Sequence, residues 1–492
     1  MPRFPGFCGP TYPAISSLLD SQRCINLYPE VADREQGAGG PSPISLIPTP
    51  GLQNLSPDRV IGTGPVRALW AEGKSRAFAV ADNTFYEITT GTTVFAPGVG
   101  TDGLPASIAS NGTQLMIAAQ GGTSFIFDLA ANTITQITDV DFAGARAVAF
   151  LDGYFIALKP NARTFQISAL NNGLAWDGLD VATVEGETDQ VEMLIQDHKT
   201  IWFFGRRAAI AYYDSGNADF PIVPISGGVV QIGVLAPSSV ARGHAGVFWL
   251  GGDRDRGTGQ VWRLQGLQAD KVSNAAIEAR IQGASGVIDD AIGWCMNYKG
   301  HELYVLVFPT AADGLVYDAS TNLWHEWRYW DGSAFKAPIA RCHAAGYADR
   351  PIHIVGSRFT TGAHAGKVYE LTDAAFTDGV DAIRRERTAA HIADELKPTF
   401  HWAFHLDVDT TATSGASSTL QWSDDGGKTF NAGIAQTVSG ERVSWRRLGR
   451  AARDRVYRWF STAAVRWIIR DAYLEIDQGA PVPQEPRGQS NA

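Results

Sequence analysis

Short apolar runs separated by turn residues fill the chain from residue 63 to residue 382, and this repetition constrains the fold most. The first set consists of Val66–Trp70, Ala77–Ala81 and Thr84–Ile88, with a turn at Asp82–Asn83. Helical periodicity is nearly absent, and sets of runs begin at intervals of roughly 40–50 residues, a spacing typical of propeller blades. One small sheet cannot bury both of its faces, so such units stack around an axis. The pattern predicts an all-β chain in which residues 63–382 form a β-propeller.

The number of units and the composition support this prediction. Further sets of runs occupy Ala106–Leu129, Ala145–Ile167, Val191–Tyr213, Val240–Leu264, Ile292–Tyr317 and Cys342–Leu371. Counting gives six or seven blades. The 52 glycines suit hairpin turns with positive φ, and the 14 tryptophans and 14 tyrosines pack well on pleated sheets. No Trp-Asp dipeptide closes each unit, so the repeats do not match WD40 repeats.

The chain on either side of the repeats has a different character. Residues 1–62 are rich in proline and glycine, and they predict an N-terminal platform segment of extended arms and short strands. Residues 383–477 contain strand-like alternation and predict a C-terminal antiparallel β-domain. Residues 478–492 are polar and rich in proline and glycine, and they predict a disordered tail.

One segment inside the repeats has helical periodicity. Ser273 is a suitable N-cap residue, and Ala276, Ile277 and Ile281 would share one face of a helix. The sequence therefore predicts a short helix between two blades.

Charge and cysteine content narrow the class of protein. The net charge is −10, so most of the surface should repel phosphate, which argues against broad nucleic-acid binding. The four cysteines are scattered and contain no CxxC pair, which fits synthesis in a reducing compartment such as a bacterial cytoplasm. The N-terminal segment lacks the apolar core of a signal peptide, and no apolar run is long enough to cross a membrane.

An arginine- and tryptophan-rich segment reverses this acidic balance between Glu441 and Arg470. Its basic and aromatic side chains are Arg442, Arg446, Arg447, Arg450, Arg453, Arg455, Arg458, Arg466, Arg470, Trp445, Trp459 and Trp467. Only Glu441 and Asp454 oppose them. The segment could contact DNA phosphate or an acidic partner. It could instead line a subunit interface, where Arg and Trp are enriched, and this second interpretation is favoured.

A second motif lies just before that segment. Ser423, Asp425, Gly427, Thr429 and Phe430 match the Asp-box hairpin of sialidases and other propellers. In this motif the aspartate binds the hairpin backbone and the final aromatic side chain enters the core. The motif occurs once and outside the repeats, so we expect a structural role rather than catalysis.

Other candidate sites have simpler explanations. Gly98–Gly103 fits GxGxxG, but no helix follows to bind phosphate, so we expect an inter-blade loop. Asp253–Gly257 offers too few oxygen ligands for calcium, which favours a hairpin tip. His401 and His405 would face the same side of a strand, about 13 Å apart, too far to share a metal. We predict no catalytic residue, cofactor or metal site, and no enzymatic activity.

Several segments in order resemble a known family. They are Gln22–Pro29, Thr49–Leu52, Val261–Leu264, Val272–Glu278, Trp422–Gly427, Trp445–Arg450 and Arg453–Arg458. Together they resemble the packaged-DNA stabilisation or tail-nozzle proteins of short-tailed bacteriophages (podophages). The likeness touches the beginning, the middle and the end of the chain, and each motif alone is moderately specific.

The resemblance implies a structural protein of the virion tail, made in the cytoplasm of the host bacterium. It implies a homo-hexameric ring, or nozzle, that continues the DNA channel, retains packaged DNA and opens for genome ejection. The implied partners are other copies of the chain, the tail adaptor or head-to-tail connector, tail fibres or spikes, a tail needle or plug, and the DNA in the channel. The family has no catalytic residues to carry over.

Two other functions remain open from the sequence. A propeller that hydrolyses or binds glycans would need clustered acids or a nucleophile in the blade loops, and the sequence contains no such cluster. An intracellular protein-interaction scaffold would be a monomer absent from virions.

Overall fold

The chain folds into two compact units, one contiguous and one built from both ends of the sequence. Pro50–Ile383 form the first, and Met1–Thr49 join Arg384–Ala492 in the second. The computed structural model describes residues 2–4, 6–11, 16–18, 20–31, 44–73, 75–100, 103–119, 123–185, 190–253, 259–283, 287–346, 352–394, 397–410 and 414–478.

Within its described residues the contiguous unit is a β-propeller of seven antiparallel blades. Blade 1 consists of Val66–Glu72, Arg76–Ala81, Thr84–Glu87 and Thr93–Pro97. Blade 2 consists of Ser107–Ser110, Gln114–Ala118, Phe125–Asp128 and Thr133–Gln136. Blade 3 consists of Ala147–Leu151, Tyr154–Leu158, Thr164–Ala169 and Asn172–Thr183. Blade 4 consists of Val191–Asp197, Thr200–Gly205, Ala209–Asp214 and Ile222–Val230.

The last three blades carry the irregular features of the propeller. Blade 5 consists of Ile232–Val234, Ala241–Gly243, Gly246–Asp253, Gln260–Gln265 and Gln268–Lys271, with a 3₁₀ turn at Pro237–Ser239. Blade 6 consists of Ile292–Tyr298, His301–Phe308, Asp313–Asp318 and Leu323–Glu326. Blade 7 consists of Ala340–Ala345, His353–Ser357, Lys367–Thr372 and Gly51–Val60. Short pairs accompany them at Tyr329–Trp330, Phe335–Lys336, Thr377–Asp378 and Asp381–Ala382.

Tight turns and alternating side chains explain why these segments form blades. Asp152 and Gly153 both have positive φ, and they join two strands of blade 3 in a two-residue hairpin turn. Lys299 and Gly300 do the same in blade 6. One strand from each of the seven blades lines a central cavity with a volume of about 620 Å³; in blade 5 this strand is Ala241–Gly243, and in the other blades it is the first strand.

Apolar layers between neighbouring blades hold the propeller together. A separate buried cluster lies at each of the seven blade-to-blade contacts within the described residues, including the contact between blades 7 and 1. Between blades 1 and 2, the ring of Phe78 stacks on Phe85 and meets Phe127 edge-on, with centroids 5.5 and 5.3 Å apart. Each fully buried side chain of this kind contributes about 1.5–3 kcal/mol.

The outermost strand of blade 7 closes the ring with a segment from near the start of the chain. Gly51–Val60 pairs antiparallel with Lys367–Thr372. An ion pair between Lys367 Nζ and Asp58 Oδ2, 2.6 Å long, reinforces this pairing. Blade 7 therefore combines segments from both ends of the propeller sequence, and neither end can leave without opening the ring.

A buried polar cluster lies beside the closing strand. His364 Nδ1 and the hydroxyl of Tyr369 are 2.6 Å apart, and His364 Nε2 lies 2.8 Å from Asp381 Oδ2. The hydroxyl of Tyr329 donates to the same carboxylate oxygen at 2.7 Å. Because these residues come from different segments around blade 7, the cluster ties the chain that follows the blade back onto it.

The predicted helix is present at Ala275–Gly283, and it buries Ala276, Ile277 and Ile281 as the periodicity indicates. Its N-cap differs from the prediction. Asn274 Oδ1 accepts the hydrogen bond from Ile277 N at 3.0 Å, which is the capping contact. The hydroxyl of Ser273 instead accepts a hydrogen bond from Val261 N in blade 5 and donates to Glu278 Oε1.

The second unit is an antiparallel sheet built from both ends of the chain. Its strands are Arg23–Ile25, Leu27–Val31, Ile44–Pro48, Arg385–Thr388, Ile392–Ala393, Thr399–Thr410, Ser414–Ser423, Ile434–Ser439, Arg442–Ala451, Asp454–Ser461 and Trp467–Gln478. Phe7 and Leu46 pack in one core with Phe404. Arg3 Nε forms an ion pair with Asp471 at 2.7 Å. The first residues are thus part of this domain.

The boundaries of the two units differ from the domain boundaries that the sequence composition predicts. The predicted N-terminal segment, residues 1–62, is shared between them, because 51–60 complete blade 7 whereas the strands before residue 50 pair with the C-terminal sheet. The predicted C-terminal domain, residues 383–477, forms one unit with the first 49 residues. From residue 479 onward, the predicted disordered tail lies outside the described residues.

We predict that Gly51→Ala destabilises the propeller. An added Cβ at residue 51 would lie 2.5 Å from the carbonyl oxygen of Ala375 and 2.7 Å from that of Thr377, so the closing strand must shift. Urea unfolding should show a loss of about 1–3 kcal/mol. Gly91→Ala, where the added Cβ meets nothing within 4 Å, should change stability by about 0.5 kcal/mol or less. Equal stability of the two variants would contradict the closure argument.

Candidate functional site

The arginine- and tryptophan-rich segment spans three strands of the second unit that are consecutive in the sequence but not adjacent in the sheet. Strand alternation separates its two kinds of side chain. Trp445, Trp459 and Trp467 are fully buried in the core of this unit. Arg442, Arg446, Arg447, Arg450 and Arg453 are exposed. The tryptophans therefore stabilise the domain, and the exposed arginines are the part of the segment that can meet a ligand or partner.

Three of the exposed arginines lie beside two exposed aromatic side chains. We define the arginine–aromatic face as Phe400, Trp402, Arg446, Arg447 and Arg450. Phe400 pairs with Arg450 across the strands, and the guanidinium lies 6.0 Å from the centre of the phenyl ring. Trp402 is 52% exposed, and Phe400 is 39% exposed. Aromatic and arginine side chains dominate the energetics of protein interfaces.

An irregularity in the sheet creates this face. The register between the strands Thr399–Thr410 and Arg442–Ala451 shifts between His401 and Ala403. Arg447 lies at the same point with a φ of 59°, so that Arg446 and Arg447 are both exposed in succession. Such a β-bulge redirects side chains that strict alternation would bury. On the adjacent strand, Asp477 accepts a hydrogen bond from Trp402 Nε1 at 2.8 Å, which fixes the indole.

Two arginines of the predicted basic segment are engaged inside the domain. Arg455 is 1% exposed, and its guanidinium donates to both carboxylate oxygens of Asp424 at 2.7 and 2.8 Å. It also donates to the carbonyl oxygen of Leu448 at 2.7 Å. Arg458 donates to Gln421 Oε1. These two side chains hold the fold together and are not offered to a partner.

The last two arginines of the segment are paired with carboxylates. Arg466 lies 3.3 Å from Asp409, and Arg470 lies 2.8 Å from Asp407 and 2.6 Å from Glu441. Exposed ion pairs of this kind contribute little to stability. The free positive charge of the segment is therefore concentrated on the strand Arg442–Ala451.

The Asp-box residues form a closed hairpin turn. The Asp425 carboxylate accepts hydrogen bonds from the Ser423 and Thr429 hydroxyls and from Thr429 N and Lys428 N. These bonds, the one from Ser423 foremost, lower the pKa of the carboxyl group. Ser423 Oγ accepts from Gly427 N at 2.8 Å. The aspartate therefore binds the turn of its own hairpin, as the motif predicts.

The final aromatic residue of the box differs from the expectation. Phe430 does not enter the core but remains partly exposed. Its ring lies 3.8 Å from the guanidinium of Arg458, in a cation–π contact. The ring of Phe430 therefore contacts Arg458 of the basic segment and does not pack in the apolar core.

In the glycine-rich loop Gly98–Gly103, the described residues present carbonyl groups to arginines; residues 101 and 102 lie outside the described residues. Arg67 donates to the carbonyl oxygens of Val99 and Gly100 at 2.6 and 2.7 Å. Arg341 donates to the carbonyl oxygen of Gly103 at 2.7 Å. An anion site needs N–H groups pointing at the ligand, so this loop serves to join blades.

The two histidines considered as a metal pair lie on opposite faces of their strand. The register shift after His401 turns His401 inward, where it is 1% exposed, and leaves His405 partly exposed. The expectation that both face the same side was therefore wrong. Among the described residues, no group of three or more His, Cys, Asp or Glu side chains is placed to hold a metal ion. Of the Asp253–Gly257 hairpin tip, residues 254–257 lie outside the described residues.

His401 is held as a neutral imidazole. Its ring nitrogens lie 2.9 Å from the hydroxyl of Thr399 and 2.9 Å from the hydroxyl of Tyr457, and both hydroxyls can donate or accept. Burial, followed by the nearby Arg455 charge, lowers the pKa of His401 to about 4.

No helix within the described part of the chain is long and apolar enough to cross a membrane.

The fold and the site define a propeller protein whose candidate site is a contact surface. A family model described as "Bacteriophage P22 Gp10, beta-propeller" matches residues 22–375. The chain belongs to this family, the stabilisation or tail-nozzle proteins of bacteriophages, and its role is that of a structural tail protein in the virion. The match spans the whole propeller, including the closing strand.

Two solved structures are similar to the chain. The extracellular domain of a hybrid two-component system from B. thetaiotaomicron has 9% identity and a TM-score of 0.41, over 72% of this chain and 42% of that one. The extracellular domain of a one-component system from the same organism has 10% identity and a TM-score of 0.43, over 82% and 56%. This chain thus spans 42% and 56% of the lengths of those domains. No curated protein matches the chain.

We predict that Arg455→Met destabilises the second unit. The change removes the donor to Asp424 and to a buried carbonyl group, so unfolding should become easier by about 1–3 kcal/mol. Arg453→Met serves as the control, because Arg453 is exposed and the change should cost about 0.5 kcal/mol or less. Urea unfolding followed by tryptophan fluorescence measures both. A loss at Arg453 that equals the loss at Arg455 would refute the assignment of Arg455 to the interior.

We also predict that His401 makes the second unit sensitive to acid. Its pKa is lower in the folded state than in the unfolded chain, so the unfolded chain binds the proton more readily. The stabilising contribution is present above about pH 6.5 and falls as the pH decreases towards 4. His401→Gln should flatten the decline in the free energy of unfolding of the second unit across this range. An unaltered slope in His401→Gln would contradict the prediction.

Proposed function

We propose that the chain assembles into a homo-hexameric ring that forms the nozzle of a short phage tail. In this assembly it continues the DNA channel, retains the packaged genome and opens for ejection. The family match over residues 22–375 carries the proposal, because it links the propeller to Gp10 of bacteriophage P22. Neighbouring proteins in the particle would be the tail adaptor or head-to-tail connector, tail fibres or spikes, and a needle or plug.

The architecture suits a load-bearing part of a particle. Seven blades closed by one strand leave few exposed sheet edges, and each apolar layer is supported on both sides. The negative net charge would also limit adhesion of DNA to a channel wall that it must slide past. These properties favour a rigid tube component over a flexible adaptor.

Contact between subunits is the role we assign to the exposed arginines of the basic segment. Arg442, Arg446, Arg447, Arg450 and Arg453 are exposed on one domain, and two exposed aromatic rings lie among them. A surface that binds only DNA phosphate has little use for exposed phenyl and indole rings. Arg455 supports the strand Arg442–Ala451 from within, through the carbonyl groups of Leu448 and Arg450. Arg458 binds Gln421 and the Asp-box residue Phe430.

Synthesis in the bacterial cytoplasm is consistent with the cysteines. Cys8, Cys24, Cys295 and Cys342 form no disulfide bonds, and none is exposed.

We propose no catalytic role for the chain. Asp381, which is partly exposed, is bound to His364 and Tyr329. No observation favours a glycan hydrolase or an intracellular scaffold.

Quantitative mass spectrometry of purified phage particles tests the proposal. The chain should be present at a constant copy number per particle, on the order of six, below that of the portal protein. A bacterial cytoplasmic protein of similar abundance serves as the control for contamination. Absence of the chain from intact particles would overturn the nozzle function and leave the scaffold and the hydrolase as alternatives.

A further inference from the structure

An acidic knob on blade 3 exposes two aliphatic side chains between carboxylates. We define the knob as Asp139, Val140, Asp141, Asp177, Leu179 and Asp180. Val140 is 96% exposed and Leu179 is 88% exposed, the two highest values for large apolar side chains among the described residues. Single exposed apolar residues are common, but two on adjoining segments form an apolar patch, and such patches favour the binding of a partner.

Hydrogen bonds and packing contacts hold the knob in a defined conformation. Asp139 Oδ2 accepts a hydrogen bond from Trp176 N at 3.0 Å, and the ring of Trp176 packs on Phe142 with centroids 4.7 Å apart. A Cβ added at Gly178 would lie 2.8 Å from Asp141 Oδ1, so the two segments of the knob are in contact. Preorganised side chains lose little conformational entropy on binding, which favours association.

The charges of the knob are crowded. Burial, and then the neighbouring carboxylate of Asp177, raises the pKa of Asp180. A carboxylate in this position gains from a nearby positive charge, because the positive charge offsets the repulsion between like charges. The knob therefore fits a surface that offers both guanidinium groups and apolar contact area.

The arginine–aromatic face has this composition. It offers three guanidinium groups together with the exposed rings of Phe400 and Trp402, and its positive charge is concentrated on one strand. Glu475 and Asp477 lie on the far side of the aromatic rings, on the strand Trp467–Gln478. The face thus has a basic side and an acidic side, which would orient a docked acidic knob towards the arginines.

We propose that the acidic knob of one copy of this chain docks on the arginine–aromatic face of a second copy. The inference rests on the proposed ring, and it names the two surfaces that meet. Because the surfaces differ, each subunit would use its knob on one neighbour and its face on the other. Contacts of this head-to-tail kind generate closed rings when the rotation between neighbours closes, and open filaments when it does not.

A second copy is favoured over DNA as the occupant of the face. Phosphate contacts would use the arginines but leave Phe400 and Trp402 uncovered, whereas Val140 and Leu179 can cover them. The knob also needs a basic partner, and the same chain supplies one. Guanidinium–carboxylate pairs fix the register, and the apolar contacts supply most of the affinity.

Two charge-reversal variants test the contact. The knob variant carries Asp141→Lys and Asp177→Lys, and the face variant carries Arg446→Glu and Arg450→Glu. The controls reverse charge at exposed positions elsewhere: Asp219→Lys with Asp289→Lys, and Lys428→Glu with Lys199→Glu. Sedimentation velocity at about 100 µM, well above a micromolar Kd, should show oligomers for the wild type and both controls, and monomers for each test variant.

Mixing the two test variants gives the decisive measurement. The knob variant retains an intact face, and the face variant retains an intact knob. A one-to-one mixture should therefore recover association between chains of different kinds, because a native knob meets a native face and a lysine-bearing knob meets a glutamate-bearing face. Recovery of association on mixing also shows that each variant is folded, because each must supply a working surface.

Three results would overturn the proposal. The wild type could remain monomeric at this concentration, the test variants could associate like the wild type, or the mixture could contain monomers alone. Binding of labelled duplex DNA is measured in parallel. Loss of DNA binding in the face variant with unchanged self-association would assign the face to phosphate.

The association experiments and the analysis of virions can distinguish failure of the proposed contact from failure of the proposed nozzle function. If the chain is found in virions but the variants associate normally, the contact is wrong and the proposed function stands. If the mixture recovers association but the chain is absent from virions, the contact stands and the nozzle function fails.

Discussion

The antiparallel pairing of Gly51–Val60 with Lys367–Thr372 is the interaction on which the propeller depends. It joins distant parts of the chain, since the ion-paired Lys367 and Asp58 are 309 positions apart. Each apolar layer between blades needs a neighbour on both sides, and the layer between blades 7 and 1 exists only when the ring is closed. Loop closure over such a length costs conformational entropy, and the cost rises slowly with length. The buried cluster of His364, Tyr369 and Asp381 stabilises the closed form beside the strand.

In the second unit, one strand performs two tasks through alternation. Val443, Trp445 and Leu448 point into the core, whereas Arg442, Arg446 and Arg450 point outward. Substitutions at adjacent positions should therefore affect different properties, namely stability in one case and association in the other. The bulge at Arg447 adds an exposed arginine that strict alternation would not provide.

The sequence predicted the features that repeat and missed those that depend on distant partners. Apolar runs and turn dipeptides repeat in each blade, so the propeller and the range of blade numbers could be read from the pattern. The strand Gly51–Val60 was assigned to the N-terminal segment, because its proline-rich surroundings resemble a linker and its partner is far away in the sequence. Similarly, Arg455 was grouped with the exposed arginines, since only the fold places it against Asp424.

Local chemistry was predicted to different degrees. The hydrogen bonds of Asp425 follow from the Asp-box spacing, since all partners lie within four residues. The position of Phe430 could not be predicted, because it depends on Arg458 from another strand. Period-two counting from buried Trp445 places Arg446 and Arg450 outside, whereas Arg447 required knowledge of the bulge. The helix cap moved by one residue because Ser273 is used by blade 5.

The second unit also orders events during synthesis. The ribosome releases residues 1–49 first, yet their pairing partners lie beyond residue 384. The propeller can close in the meantime, since the strands of its blades lie between residues 51 and 382. Phe7 and Leu46 therefore cannot be buried in their core until the C-terminal strands have been synthesised. A prematurely terminated chain would leave these apolar residues exposed.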